Sequence, residues 1–312
     1  MKTVVVTGSA GFIGTNLVRK LLSLGHRVIG VDYLYSSNPG NEKIFNSHPN
    51  YTFIKHDIRK PLSLKTKVDA IYNFASPASM PFITKDPIFT LETSVLGVKN
   101  MLELAQKHQA KFLQASTSEV YGEPLEHPQK ESYRGNVNTI GPRSCYDEGK
   151  RAAETVCFEY FQKGVDVKII RIFNTYGPHI NSKDGRVVVN LIVQALNNQN
   201  LTVYGNGQQT RSFCYIDDLV AGIIKYMNLK KKYLGPINLG NPNEKTILEL
   251  TQTVLKLIPQ SKSKIVYRPL PKDDPSKRKP DISGAKKVLN WQPKVSLKEG
   301  LKKTIEYFRK SH

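Results

Sequence analysis

The sequence predicts an α/β protein: a doubly wound parallel sheet with a smaller C-terminal α/β lobe. Three observations predict it. Strand-like and helix-like apolar periods alternate through the first half of the chain. A glycine-rich turn, Gly8 to Gly14, stands between the first strand and the first helix. And 312 residues with 39% hydrophobic content supply the core of one large domain or two fused units. The expected division is 1–175 for the sheet domain and 176–312 for the lobe, with the chain crossing between them.

Lys2 to Thr7 is a short β-rich run, Ile13 to Ser23 has helical apolar spacing, and Arg27 to Asp32 is a second apolar run ending in a carboxylate. Together they read as a βαβ unit. Further strand-like runs fall at Tyr51 to Asp57, Ala70 to Ala75, Lys111 to Thr117 and Val167 to Phe173, with helical patterns at Ile88 to His108 and Asp147 to Lys163. Beyond Tyr176 the strands shorten to Leu201–Tyr204, Pro236–Leu239 and Ile265–Arg268, between helices near Val187–Asn197, Asp217–Asn228 and Ile247–Leu257. These are assigned to the smaller lobe. Pro269 to Pro280 is proline-rich with paired charges and reads as an irregular surface segment; Leu297 to Lys310 reads as a terminal amphipathic helix.

Lys and Arg number 46 against 26 Asp and Glu, a formal charge of +20. The basic residues are spread along the chain without an aromatic-basic strand or zinc-finger spacing, so no nucleic-acid partner is expected, and the field suits anionic small molecules. The three cysteines carry no CxxC spacing; neither a disulfide framework nor a metal site is expected, and a reducing, cytoplasmic compartment is the simplest reading. No apolar run approaches the roughly 20 residues of a membrane span, so no membrane partner is expected.

Glycines at 8, 11 and 14 permit a tight turn and close approach of a pyrophosphate to a helix N-terminus. Alone they are a weak sign. Asp32, closing the next strand, strengthens it, because a carboxylate there accepts from an adenosine ribose and repels a 2′-phosphate; this favours NAD over NADP. Tyr146 and Lys150 stand four residues apart on one face of a helix, where an ammonium and an oxidised nicotinamide would draw the phenol toward neutrality and make a general base. Ser116 to Gly122 lies at the carboxyl end of the fifth strand, where open α/β sheets place ligands, so Thr117, Ser118 and Glu119 would face the reacting molecule.

With the glycine turn, Ser116-Thr117-Ser118-Glu119-Val120-Tyr121-Gly122 and Tyr146-Asp147-Glu148-Gly149-Lys150 in this order, the chain resembles the extended short-chain dehydrogenase/reductase family, of Rossmann type, over essentially its whole length. Within it, the run Gly135 to Lys150, Ala75 to Ser79, Arg171 to Pro178, Asp184 to Val188 and Asp273 to Asp281 look like the branch that decarboxylates UDP-glucuronate. The resemblance implies NAD contacts at Gly8, Gly11, Phe12, Ile13, Gly14, Asp32, Tyr33, Asp57, Ile58, Phe74, Ala75, Ser76, Thr93, Tyr146 and Lys150. It implies substrate contacts at Asn174, Arg186, Tyr204, Arg211 and Arg278, and a homodimer through the helices around 88–108 and 147–163. Departures are Ser9 for Gly, Thr139 for Pro, Met80-Pro81-Phe82-Ile83 after Ala75–Ser79, Glu92 for Lys and Ser94 for Asn.

The resemblance further implies a mechanism. Tyr146 removes the C4′ hydroxyl proton as hydride leaves for NAD⁺, the 4-keto group accepts the electrons left by CO₂, and the retained NADH reduces the ketone to give UDP-xylose. Thr117, Ser118 and Glu119 orient hydroxyls and water. Release of the UDP-4-keto-pentose is the alternative outcome. A 4,6-dehydratase or epimerase is a further one, although a dehydratase usually has Asp where Ser118 stands. A catalytically silent nucleotide-sugar binding protein is the non-enzymatic alternative.

Overall fold

The computed structural model describes residues 1–270 and 277–311. Residues 271–276, including the Asp273 to Ser276 part of the resemblance, lie outside the described residues. The chain begins with β1 (Thr3–Thr7), α1 (Phe12–Ser23), β2 (Arg27–Asp32), β3 (Tyr51–Lys55) and β4 (Ala70–Asn73). Two short helices, α2 (Met80–Ile83) and α3 (Pro87–Glu92), precede a π-type turn at Thr93–Gly97, α4 (Val98–His108), β5 (Lys111–Thr117), α5 (Ser144–Gln162) and β6 (Val167–Ile172). The helix expected over Ile88 to His108 is therefore interrupted, by one widened turn that begins at Thr93.

The second part runs β7 (Thr175–Tyr176), α6 (Val187–Leu196), β8 (Leu201–Tyr204), β9 (Thr210–Ser212), β10 (Cys214–Tyr215), α7 (Ile216–Met227), β11 (Ile237–Leu239), β12 (Glu244–Thr246), α8 (Ile247–Leu257), β13 (Ile265–Arg268), β14 (Lys277–Arg278), α9 (Ser283–Leu289) and α10 (Leu297–Ser311). Seven parallel strands form the main sheet in the order β11-β6-β5-β4-β1-β2-β3. The order reverses beside β1, so the glycine turn that follows β1 opens at the switch point where such sheets bind ligands.

Side chains alternate across the sheet. Val4 and Val6 pack with Leu17, Leu21 and Ile223 on one face, while Val5 packs with Met101, Leu102 and Ala153 on the other. Polar residues bridge the carboxyl ends: the Thr7 hydroxyl donates to Asn73 Oδ1 at 2.5 Å, and Asn73 Nδ2 donates to Gln114 Oε1 at 2.8 Å. All three are buried. Satisfying these groups pairwise fixes the register of β1, β4 and β5 under the site.

Two further features differ from the sequence reading. The run expected at Pro236–Leu239 to serve the smaller lobe is β11, which pairs with β6 in the main sheet. And Lys277–Arg278, read as part of an irregular surface segment, is a strand running parallel to β9, with Arg278 only 2% exposed. Pairing with Thr210 and Arg211, and the bond from Lys279 N to Gln129 Oε1, hold this short stretch in place.

Candidate active site

Gly8 has φ +66°, a left-handed conformation that glycine adopts without a Cβ penalty, and a Cβ there would lie 2.8 Å from the Phe74 carbonyl carbon. At Gly14 a Cβ would fall 2.0 Å from the Gly8 carbonyl oxygen, so helix α1 can approach its own turn only with glycine there. Gly11 caps α1 with no side-chain hydrogen bond. The turn thus leaves backbone N–H groups and the positive end of the helix facing the cleft, the arrangement that accepts a diphosphate.

That cleft is lined by Gly8, Gly11, Asp32, Tyr33, Asp57, Ile58, Phe74, Ala75, Ser76 and Thr93, all expected from the sequence. Phe12, Ile13 and Gly14 form the first turn of α1 behind it. Tyr35, Ser37, His56 and Phe89 line it as well and were not expected; Ser37 lies in a Ser-Asn-Pro-Gly loop that has no periodic signal. Asp32 accepts from Ala10 N at 3.0 Å, Leu34 N at 2.7 Å and Ser37 Oγ at 2.9 Å. Burial raises its pKa against these bonds.

At the far end of the cleft, Arg59 holds Asp57 through its Nη2 at 2.7 Å and Glu92 through its Nη1 at 2.7 Å, with its guanidinium carbon 4.3 Å from the centre of the Phe89 ring. Burial works against the Asp57 carboxylate, and the Arg59 bonds outweigh it, so its pKa is lowered. Glu92 is thus engaged by Arg59. Ser94 is buried and lies 3.5 Å from Ser76 Oγ.

Tyr146 and Lys150 occupy the first two turns of α5, both buried, with Lys150 Nζ 5.7 Å from the centre of the phenol ring. Lys150 Nζ donates to the Ala115 carbonyl at 3.0 Å, which fixes it beneath β5. The expected lowering of the phenol needs both the Lys150 ammonium and an oxidised nicotinamide; the protein groups by themselves act the other way. Burial pushes Tyr146 up to about 12, against a hydrogen bond with the Thr117 side chain, and burial pushes Lys150 down to about 8. Dehydration is the largest cause of both shifts.

Glu119 lies in the short helical turn after β5 and receives two guanidinium groups: Arg143 Nη2 donates to Oε2 at 2.9 Å and Arg278 Nη2 at 3.3 Å. Burial opposes its charge, but Arg278, Arg143 and Arg211 together lower its pKa below the usual range. Arg278 also donates to the Ser118 carbonyl at 2.9 Å. The sequence placed Arg278 in an irregular surface segment; it is instead buried and holds the end of β5 and the turn after it. Arg143 was missed, because an Arg preceding a helix has no distinguishing pattern.

The other expected substrate residues are spread more widely. Arg186 caps α6, pairs with Asp184 at 3.1 Å and acts on the Tyr146 phenol through its charge. Arg211 on β9 is 9% exposed. Asn174 follows β6, and its carbonyl accepts from Cys214 N at 2.9 Å. Tyr204, at the end of β8, is 43% exposed.

A dinucleotide turn at the switch point of a parallel sheet, with a Tyr and a Lys one helical turn apart beside it, defines an extended short-chain dehydrogenase/reductase. The family model described as GDP-mannose 4,6 dehydratase matches residues 5–304. Over 308 residues the chain is 50% identical to UDP-glucuronic acid decarboxylase 1 of Danio rerio, covering 98% of this chain and 72% of the relative. It is 52% identical over 309 residues to UDP-glucuronic acid decarboxylase 6 of Arabidopsis thaliana, covering 98% and 88%. Among solved structures, the UDP-glucuronic acid 4-epimerase of Bacillus cereus, in complex with UDP-glucuronic acid and NAD, superposes with a TM-score of 0.85 at 28% identity, covering 99% of this chain and 100% of that one. The chain belongs to the UDP-glucuronic acid decarboxylase family.

Proposed function

We propose that this chain decarboxylates UDP-glucuronate to UDP-xylose, using one NAD that is oxidant and then reductant within a single turnover. The observation that carries the reading is the grouping of Tyr146, Thr117 and an ionised, arginine-held Glu119 beside a glycine turn shaped for a dinucleotide. The residues present fit NAD: the close approaches at Gly8 and Gly14 and the uncapped start of α1 suit the diphosphate, and Asp32 suits the ribose. Phe12, Ile13, Tyr33, Asp57, Ile58, Phe74, Ala75, Ser76 and Thr93 complete that contact surface. When bound, NAD accepts a hydride from C4′ of the sugar and later returns it.

Tyr146 Oη takes the proton of the C4′ hydroxyl, with the Thr117 side chain orienting it. The Lys150 ammonium beneath the ring compensates the phenolate. The 4-keto group is then β to the carboxylate, so the C5′–C6′ electron pair passes into an enolate as CO₂ departs. No hydroxyl is expelled, which suits Ser118 where a dehydratase carries an acid. Arg186, Arg211, Arg278, Asn174 and Tyr204 form the nucleotide-sugar side, Arg278 acting by holding Glu119. A homodimer through the helices around 88–108 and 147–163 belongs to the same reading, supported by the exposed Leu96, on the turn before α4, and Phe158 on α5. So does a reducing, cytoplasmic setting, supported by free Cys145, Cys157 and Cys214. No described helix is long and apolar enough to cross a membrane.

The test is incubation of the NAD-loaded protein with UDP-glucuronate and mass spectrometry of the nucleotide product. UDP-pentose is expected. A UDP-4-keto-pentose would replace the final reduction by release, and an unchanged mass would overturn the decarboxylation.

A further inference from the structure

The proposed reaction consumes a proton, and this inference rests on that reading. A carboxylate enters and neutral CO₂ leaves, so one proton per turnover must come from solvent to form the new C–H bond at C5′. Tyr146 does not supply it, since the proton it takes from the C4′ hydroxyl goes back to the same oxygen. A route for the extra proton is therefore required.

A second cavity is lined by Glu119 together with Asn136, Asn138, Arg143, Asp147 and Arg278, among others. Asp147 is only 8% exposed, and its Oδ1 is buried with no hydrogen-bond partner among the described residues. Its Oδ2 lies 3.9 Å from Arg143 Nε, and the same guanidinium donates to Glu119 Oε2 at 2.9 Å. Two carboxyl groups thus share one guanidinium. The charged groups acting on Asp147 include Glu119 and Glu148, which oppose its ionisation, and Arg143 and Arg278, which favour it; the Tyr146 phenol interacts with its charge and Glu123 lines the same cavity. Burial and then Glu119 push Asp147 up to about 7, whereas Glu119 is held below the usual range. Neighbouring carboxyls whose environments drive their pKa values apart are the arrangement of an acid beside a base.

We propose that Asp147 is the relay through which the solvent proton reaches C5′. The Asp147 carboxyl gives its proton to water in the cavity, and that water passes a proton to C5′. There the enolate π pair forms the C–H bond and the C4′ carbonyl is restored. Asp147 is left as a carboxylate and regains a proton from solvent. Asp147 lines the cavity and acts through water, so it is a positioning residue, and Glu119, which lines the same cavity, orders that water.

Asp147→Asn in the full chain with NAD bound tests this. The expected result is a loss in kcat of about a hundredfold or more with KM for UDP-glucuronate unchanged. Reduced nicotinamide should accumulate in the steady state, as the enolate waits for its proton, and Asp147→Glu should restore turnover. A variant with the kcat and pH profile of the unmutated protein would overturn the relay. If the variant does not fold, the unmutated protein decides. Its steady-state fraction of reduced nicotinamide should rise as pH passes through about 7, and a flat fraction would overturn the proposal. Failure of the unmutated protein to release CO₂ at all would instead overturn the functional reading on which the relay rests.

Discussion

On the proposed reading Tyr146 carries the first proton transfer, and burial is the largest cause of the rise of its phenol to about 12. Tyr146→Phe should therefore lower turnover by at least about a hundredfold while UDP still binds, as measured by single-turnover absorbance and by calorimetry. Asp32 faces the cleft with its carboxylate fixed by three donors, so NAD⁺ should bind more tightly than NADP⁺, whose 2′-phosphate meets a like charge. Titration of both cofactors checks this, and equal affinities would contradict it. Asp147 also makes a stability prediction. Its pKa is raised in the folded chain, so the native state binds more protons than the unfolded state between the ordinary carboxylate range and about 7, and stability falls as pH rises through that window. Asp147→Asn should raise the melting temperature at pH above 7 relative to the unmutated protein and confer less at acid pH. At this scale much of the site was legible: the glycines, Asp32, Tyr146 and Lys150 announce themselves by spacing. Arg143 and the separate state of Asp147 did not, because both depend on what Glu119 meets across the fold.

Strand β14 is two residues long, yet it delivers the Arg278 guanidinium to Glu119 and to the Ser118 carbonyl. Removing one partner of a buried ion pair leaves the other charge uncompensated, so Arg278→Ala should cost about 3–5 kcal/mol of stability. It should also lower kcat/KM for UDP-glucuronate at least about tenfold with little change in NAD⁺ affinity. Denaturant titration and kinetics read the two effects separately. The interrupted helix at Thr93–Gly97 has a milder consequence. The Arg59–Glu92 pair is partly exposed, at 27% and 41%, and such pairs contribute roughly 0–1 kcal/mol. Glu92→Gln should thus leave the melting temperature and the sugar kinetics nearly unchanged. Long periodic elements such as β5 and α8 were readable to the residue. Two-residue strands and a single widened helical turn have no period, which is why β14 and the break before α4 were not.

The molecule joins two parts through a chain that leaves the main sheet after β6 and returns to it at β11. Alternation of strands and helices made the sheet legible; the return of β11 was not, since a three-residue strand carries no mark of its neighbour. On the outer surface, Leu96 and Phe158 are each 46% exposed on the elements proposed to form a four-helix contact between two copies. Light scattering at micromolar concentration should give twice the chain mass, and Phe158→Asp should return it to that of one chain. In the proposed reaction the carbon lost is the C6′ carboxylate and the sugar is reduced before it leaves. The most direct measurement supplies UDP-glucuronate labelled with ¹³C at C6′ to the NAD-loaded protein and follows label and nucleotide together by NMR. Labelled CO₂ and unlabelled UDP-xylose should appear in equal amounts without added reductant; label retained in a UDP-hexuronate, as an epimerase would leave it, would contradict decarboxylation.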